Sequence, residues 1–99
     1  MLTQQDILQF LKDNKDYFRK EFHISKIDIF GSFARNEQRA DSDIDFLIEM
    51  ENNVSNIYDL KWELRELLKK QFNREVDVCN EKHIKPFAKT FVLKDAVYA

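Results

Sequence analysis

Only one glycine and one proline punctuate these 99 residues. Chains turn most cheaply at those two residue types, so connections here must be tight and the whole must form one compact unit. A chain of this length makes a single small domain spanning residues 1–99. Hydrophobic residues are 43% and charged residues 34%, which is ordinary for a globular chain and too apolar for disorder. The single Cys79 excludes an internal disulfide and a cysteine-rich zinc site. It fits a reducing, cytoplasmic setting. No apolar run reaches the roughly 18–20 residues of a membrane span. The acid-bearing start, MLTQQDILQFLKDNK, does not read as a signal peptide.

The net charge of −2 is unevenly distributed. Residues 36–59 carry seven acids and one base, whereas residues 1–35 and 60–99 are slightly basic. The chain therefore lacks the broad basic footprint of a nucleic-acid binder, and no direct nucleic-acid contact is expected. The acidic block in the middle is what needs explaining.

Apolar periodicity gives the order of elements. Thr3 is placed to cap a first helix, with Asp6 in a capping-box position, and Ile7, Phe10, Leu11, Phe18 and Phe22 carry that helix to about residue 21. Ser25–Phe30 alternates as a first strand and stops at Gly31-Ser32. Phe33–Gln38 reads as a short helix and 39–42 as a loop. Asp43–Met50 is a second strand with Ile44, Phe46 and Ile48 on one face. Ser55 is a candidate cap for a third helix, with an apolar stripe from Ile57 to Phe72 and Lys61, Arg65 and Lys69 on its wet side. Glu75–Cys79 is a third strand. Pro86 starts a last helix ending near Lys94, and Ala96–Ala99 is a candidate fourth strand. The expected fold is α/β, a small mixed sheet with helices packed on one face. The nine phenylalanines read as core, and His23, His83 and Cys79 read as packing or surface residues.

Asp43 and Asp45 lie two apart on the second strand, so alternation puts both on one face, with Cα atoms about 6.5 Å apart. Asp77 sits mid-strand thirty-two positions later, again with apolar neighbours on the other face. Three carboxylates meet if the two strands are adjacent. Two carboxylates about 5 Å apart repel by roughly 3 kcal/mol at an effective dielectric near 20. Protonation or a divalent cation relieves this, and oxygen-only ligands favour Mg²⁺ or Mn²⁺. A two-ion carboxylate site suits phosphoryl or nucleotidyl transfer. Gly31-Ser32, at a strand end, allows close backbone approach to a phosphate and offers a hydroxyl, although the same pair also serves as a plain turn and cap.

Gly31-Ser32-Phe33-Ala34-Arg35 followed by Ser42-Asp43-Ile44-Asp45-Phe46-Leu47-Ile48 resembles the DNA polymerase beta-like nucleotidyltransferases, and more narrowly the minimal nucleotidyltransferases. Glu75-Val76-Asp77-Val78 and the ending from Lys85-Pro86 to Tyr98 extend the likeness over residues 25–99. The resemblance implies the polymerase beta-like fold. It implies metal-ligating and catalytic roles for Asp43, Asp45 and Asp77, with Asp77 also the general base, and phosphate contacts from Gly31 and Ser32. Arg35 either contacts a phosphate or pairs with a carboxylate. Asn36 departs from the family glycine, but asparagine tolerates the left-handed conformation, so the turn is expected to survive.

The resemblance further implies two Mg²⁺ ions (or Mn²⁺), ATP as substrate, and AMP transfer to a tyrosine of a HEPN-type toxin, for which this chain would be the antitoxin. Two alternatives stand beside that reading. One is a non-catalytic antitoxin that occludes its partner, and the other is a small-molecule nucleotidyltransferase. Self-association is left open.

Overall fold

The structure, a computed structural model, describes residues 2–99. Its elements are α1 (Gln4–Asp13), α2 (Lys15–Phe22), β1 (Ile24–Phe30), β2 (Ile44–Met50), α3 (Ile57–Phe72), β3 (Val76–Asn80), α4 (Pro86–Asp95) and β4 (Val97–Tyr98), with a 3-10 turn at Glu81–His83 before α4. The four strands form one mixed sheet in the order β3-β2-β1-β4. β1 runs antiparallel to both β2 and β4, whereas β2 and β3 are parallel and are joined through α3. A parallel pair needs such a crossover, and α3 supplies it.

One face of the sheet is the core. Ile27 and Ile29, Ile44, Phe46 and Ile48, and Val76 and Val78 pack against Ile7, Leu8 and Leu11 of α1, Phe18 and Phe22 of α2, and Leu60, Leu64 and Leu68 of α3. Helical and strand periods each deliver an unbroken apolar side to this layer. α4 contributes no buried residue.

The expected single first helix is two. Asn14 ends α1 and begins α2 with φ −112° and ψ 15°, and its side-chain amide donates to the Phe10 carbonyl at 2.8 Å. An Asn side chain that competes for helix carbonyls is a ready break point. The capping box at Thr3 and Asp6 is present, with bonds in both directions. Phe33–Gln38 is not a helix. It is a single turn in which Arg35 N–H donates to Gly31 and Glu37 N–H to Ser32, and Asn36 ends it at φ 57°. The residue preceding α3 is Asn56 rather than Ser55.

Lys61, Arg65 and Lys69 do not form a wet side. They are half-buried, and the latter two lean on the start of β3: Arg65 donates to the Val76 carbonyl at 3.3 Å and Lys69 pairs with Glu75 at 3.1 Å. Not every phenylalanine is core, because Phe87 and Phe91 are each 74% exposed.

Left-handed positions fall on His23, Asn36, Asn53 and Asn73, besides Gly31. A chain with one glycine places polar residues, chiefly asparagine, where the backbone must turn left. Asn is the side chain that pays least for this after glycine.

Candidate active site

The expected carboxylates come from adjacent strands. Asp45 pairs in register with Asp77 across the parallel β2–β3 ladder and with Phe30 across the antiparallel β1–β2 ladder. Phe30 is the last residue of β1, so the Gly31 turn begins beside Asp45. Asp43 immediately precedes β2, on the parity of Asp45. Asp43 and Asp77 are exposed, and Asp45 is half-buried.

Gly31 has φ 76°, and a Cβ there would run into Asp45 Oδ2. The glycine therefore meets two requirements at once: a left-handed backbone and close approach to a carboxylate. The first bond of the turn is Arg35 N–H to Gly31 carbonyl. The N–H groups of Ser32, Phe33 and Ala34 come before it and lack a partner within the turn, as at the start of a helix. Such a run of N–H groups suits phosphate oxygens.

Burial pushes the Asp45 carboxyl up to about 6, reinforced by the charges of Asp77 and then Asp43. Arg35 is the one neighbour that opposes this. Arg35 itself follows the second of its two expected courses, pairing with Glu37 through Nε and with Asp95 through Nη1, both at 3.0 Å. Cys79, in register with Leu47, is half-buried, and burial raises its thiol, so it is no poised nucleophile.

Among the described residues, no three His, Cys, Asp or Glu side chains are gathered closely enough to grip a metal ion. The donor chemistry nevertheless fits a hard divalent cation. The acids are oxygen-only and come from neighbouring positions, and burial, then the charges of Asp77 and Asp43, raises the Asp45 carboxyl to about 6.

Two residues that brace the site were not visible in the sequence. Arg74 Nη1 donates to the Ser42 carbonyl at 2.8 Å, and its guanidinium lies 5.3 Å from the centre of the Phe33 ring. It thereby ties the loop before Asp43 to the Gly31 turn. Gln4 Nε2 donates to the Phe33 and Ala34 carbonyls at 3.2 and 2.9 Å, fixing that turn from α1. Both act at sequence separations of about 30 or more, where local pattern carries no signal.

Residues 7–99 match the nucleotidyltransferase domain family. The chain is 33% identical over 98 residues to the protein adenylyltransferase MntA of Thermococcus cleftensis, covering 99% of this chain and 97% of that one. Its fold is similar to a solved structure described provisionally as a minimal nucleotidyltransferase, with a TM-score of 0.81, 22% identity, and 99% and 97% of the two chains covered. It is also similar to a chain of the complex between the tri-AMPylated HEPN toxin of Shewanella oneidensis and an MNT antitoxin. There the TM-score is 0.60 at 21% identity, over 96% of this chain and 66% of that one.

Proposed function

This chain belongs to the nucleotidyltransferase domain family, and from that premise we propose that it is an antitoxin that transfers AMP from ATP to a tyrosine of a HEPN-type toxin. The observation that carries the reading is the juxtaposition of Asp45 with Asp77 on one side and with the cradle at Gly31 on the other. The Thermococcus relative, named a protein adenylyltransferase, and the AMPylated toxin of the Shewanella complex supply the acceptor class.

In this reading the N–H groups after Gly31 and the Ser32 hydroxyl hold the β- and γ-phosphates. Arg35 adds a positive charge at the end of the same turn. Asp43, Asp45 and Asp77 hold two Mg²⁺ ions, for which Mn²⁺ is a fitting substitute. Bound there, the ions offset the charge of the acids and of the triphosphate and favour pyrophosphate as leaving group. The tyrosine oxygen attacks the α-phosphorus, and the bond from that phosphorus to the bridging oxygen breaks. Asp77, the exposed member of the pair, accepts the phenolic proton. Gly31 keeps the turn close to Asp45, while Arg74 and Gln4 keep it from drifting. The reaction takes place in the cytoplasm, in a single domain spanning the chain.

The test uses ATP labelled at the α-phosphate, added with Mg²⁺ and purified protein to a lysate of the source cell, with Asp45→Asn as control. The expected result is one labelled protein, seen only with the wild type, with the label on tyrosine. Label in a small molecule would replace the acceptor class. No Asp45-dependent label anywhere would overturn the reading in favour of an antitoxin that only occludes its partner.

A further inference from the structure

From Lys82 to Lys94 the chain carries four lysines and no acid. Most of this stretch is α4, a ten-residue helix that buries none of its side chains. Helices of this length are ordinarily held by an apolar face against a core. Here the two largest apolar groups, Phe87 and Phe91, point to solvent, each 74% exposed. Four residues apart, they stand one above the other on a single face. Of its apolar residues α4 half-buries only Ala88, Val92 and Leu93, and it is also held at its ends: Pro86 starts it, Asp95 at its last position pairs with Arg35 at 3.0 Å, and β4 follows at once on the edge of β1.

That end attachment links the ridge to the site. Phe91 is one turn, about 6 Å of axis, before Asp95. Arg35 belongs to the turn that begins at Gly31, against Asp45. A cavity of about 350 Å³ opens at the far ends of β2 and β3, lined by residues including Glu49, Met50, Asn80 and Lys82 and, from α4 itself, Lys89. It offers no acceptor pocket beside Asp45 and Asp77.

We propose that α4 is the docking ridge for the protein that accepts AMP, with Phe87 and Phe91 entering an apolar groove on that protein and Lys85 and Lys89 meeting acids along the groove's rim. This rests on the AMP-transfer reading above. Charge chooses the occupant. A second copy of this chain, meeting the ridge across a two-fold axis, would set these lysines against their own copies. A nucleic acid would suit the lysines, but Asp95 on the same helix and Asp45, beyond the Arg35 that Asp95 pairs with, would repel its phosphates. An acidic amphipathic surface on a protein satisfies both the phenylalanines and the lysines.

The test places the photo-crosslinking residue benzoylphenylalanine at position 91 and, as control, at position 17 on α2, and irradiates source cells. We expect the adduct at 91, and not that at 17, to contain the same protein that α-labelled ATP labels. Lys85→Glu with Lys89→Glu is expected to reduce that adduct about tenfold or more. Phe87→Ala with Phe91→Ala is expected to lower labelling of the acceptor about tenfold or more, while the melting temperature and its rise with Mg²⁺ and ATP stay at wild-type values. Undiminished labelling by the double alanine variant would overturn the proposal. So would an adduct only with a second copy of this chain, an adduct with RNA, or none above control. If no protein takes label at all, the transfer reading fails. The ridge then stands only if position 91 still captures an acidic protein and the lysine reversals abolish the capture.

Discussion

Asp28 and Asp45 share one face of one sheet. Asp28 is opposite Leu47, two positions along β2 from Asp45. Burial raises the pKa of both. Their neighbours differ. Asp28, 2% exposed, lies 3.6 Å from Lys26 Nζ and accepts from the Ala99 N–H at 3.4 Å. Lys26 and that backbone bond pull it back toward the charged form, so Asp28 helps hold the terminal strand. Asp45 instead faces Asp77 and Asp43, and both push it further up. A buried acid given a cation and a donor is part of the scaffold. One set among other acids, beneath a backbone turn, is the pattern of a candidate ligand site.

The sharpest way to break this contrast is activity. Asp45→Asn is expected to lower AMP transfer at least about 100-fold, the usual cost of losing one preorganised electrostatic group at a reacting centre. Asp28→Asn is expected to leave the rate within about threefold, measured as initial labelling with α-labelled ATP. An equal fall in both variants would erase the distinction.

Gly31→Ala comes next in size. The new Cβ meets Asp45 Oδ2 and the residue must hold φ 76°, so a loss of about 1–3 kcal/mol is expected in urea unfolding. Because the clash pushes on Asp45 and not on Asp28, transfer is expected to fall more than stability alone explains. A stable Gly31→Ala variant with full transfer would mean that the turn does not need to lie so close.

Much of the site was legible because it obeys period two. Asp43 and Asp45 on one face, and Ile44, Phe46 and Ile48 on the other, follow from alternation, whereas the adjacency of β2 and β3 that brings Asp77 beside Asp45 was only a condition until the sheet order met it. Asn36 was legible too, since its left-handed turn is one that asparagine tolerates. The break at Asn14 was hidden, because apolar spacing continues across it and only the non-helical Asn14 backbone and its added side-chain bond to Phe10 mark it. The Lys61–Lys69 stripe misled because helical spacing does not say that β3 lies beside it. Phe87 and Phe91 misled because composition counts aromatics without placing them. Arg74 and Gln4 were out of reach because their partners are set by tertiary packing.

The smallest expected effect concerns the charge on Asp45 itself. Its folded pKa, about 6, is above the ordinary aspartate value. The native state therefore holds a proton that the unfolded chain has released between about pH 4 and 6. Stability from this group is present at low pH and is lost as pH rises through 6. With solvent screening discounted, the loss is about 1–2 kcal/mol. Other groups also contribute to the pH dependence of the whole protein, so the informative quantity is a difference between variants. Urea unfolding at pH 5 and pH 7.5, without metal or nucleotide, is expected to show Asp45→Asn gaining on the wild type as pH rises. Asp28→Asn is expected to gain less, because it gives up the Lys26 pair along with its charge. If Asp45→Asn instead runs parallel to the wild type, Asp77 and Asp43 exert no pressure on Asp45. The need for a counter-charge at this end of the sheet, on which the metal assignment depends, would then have no physical basis.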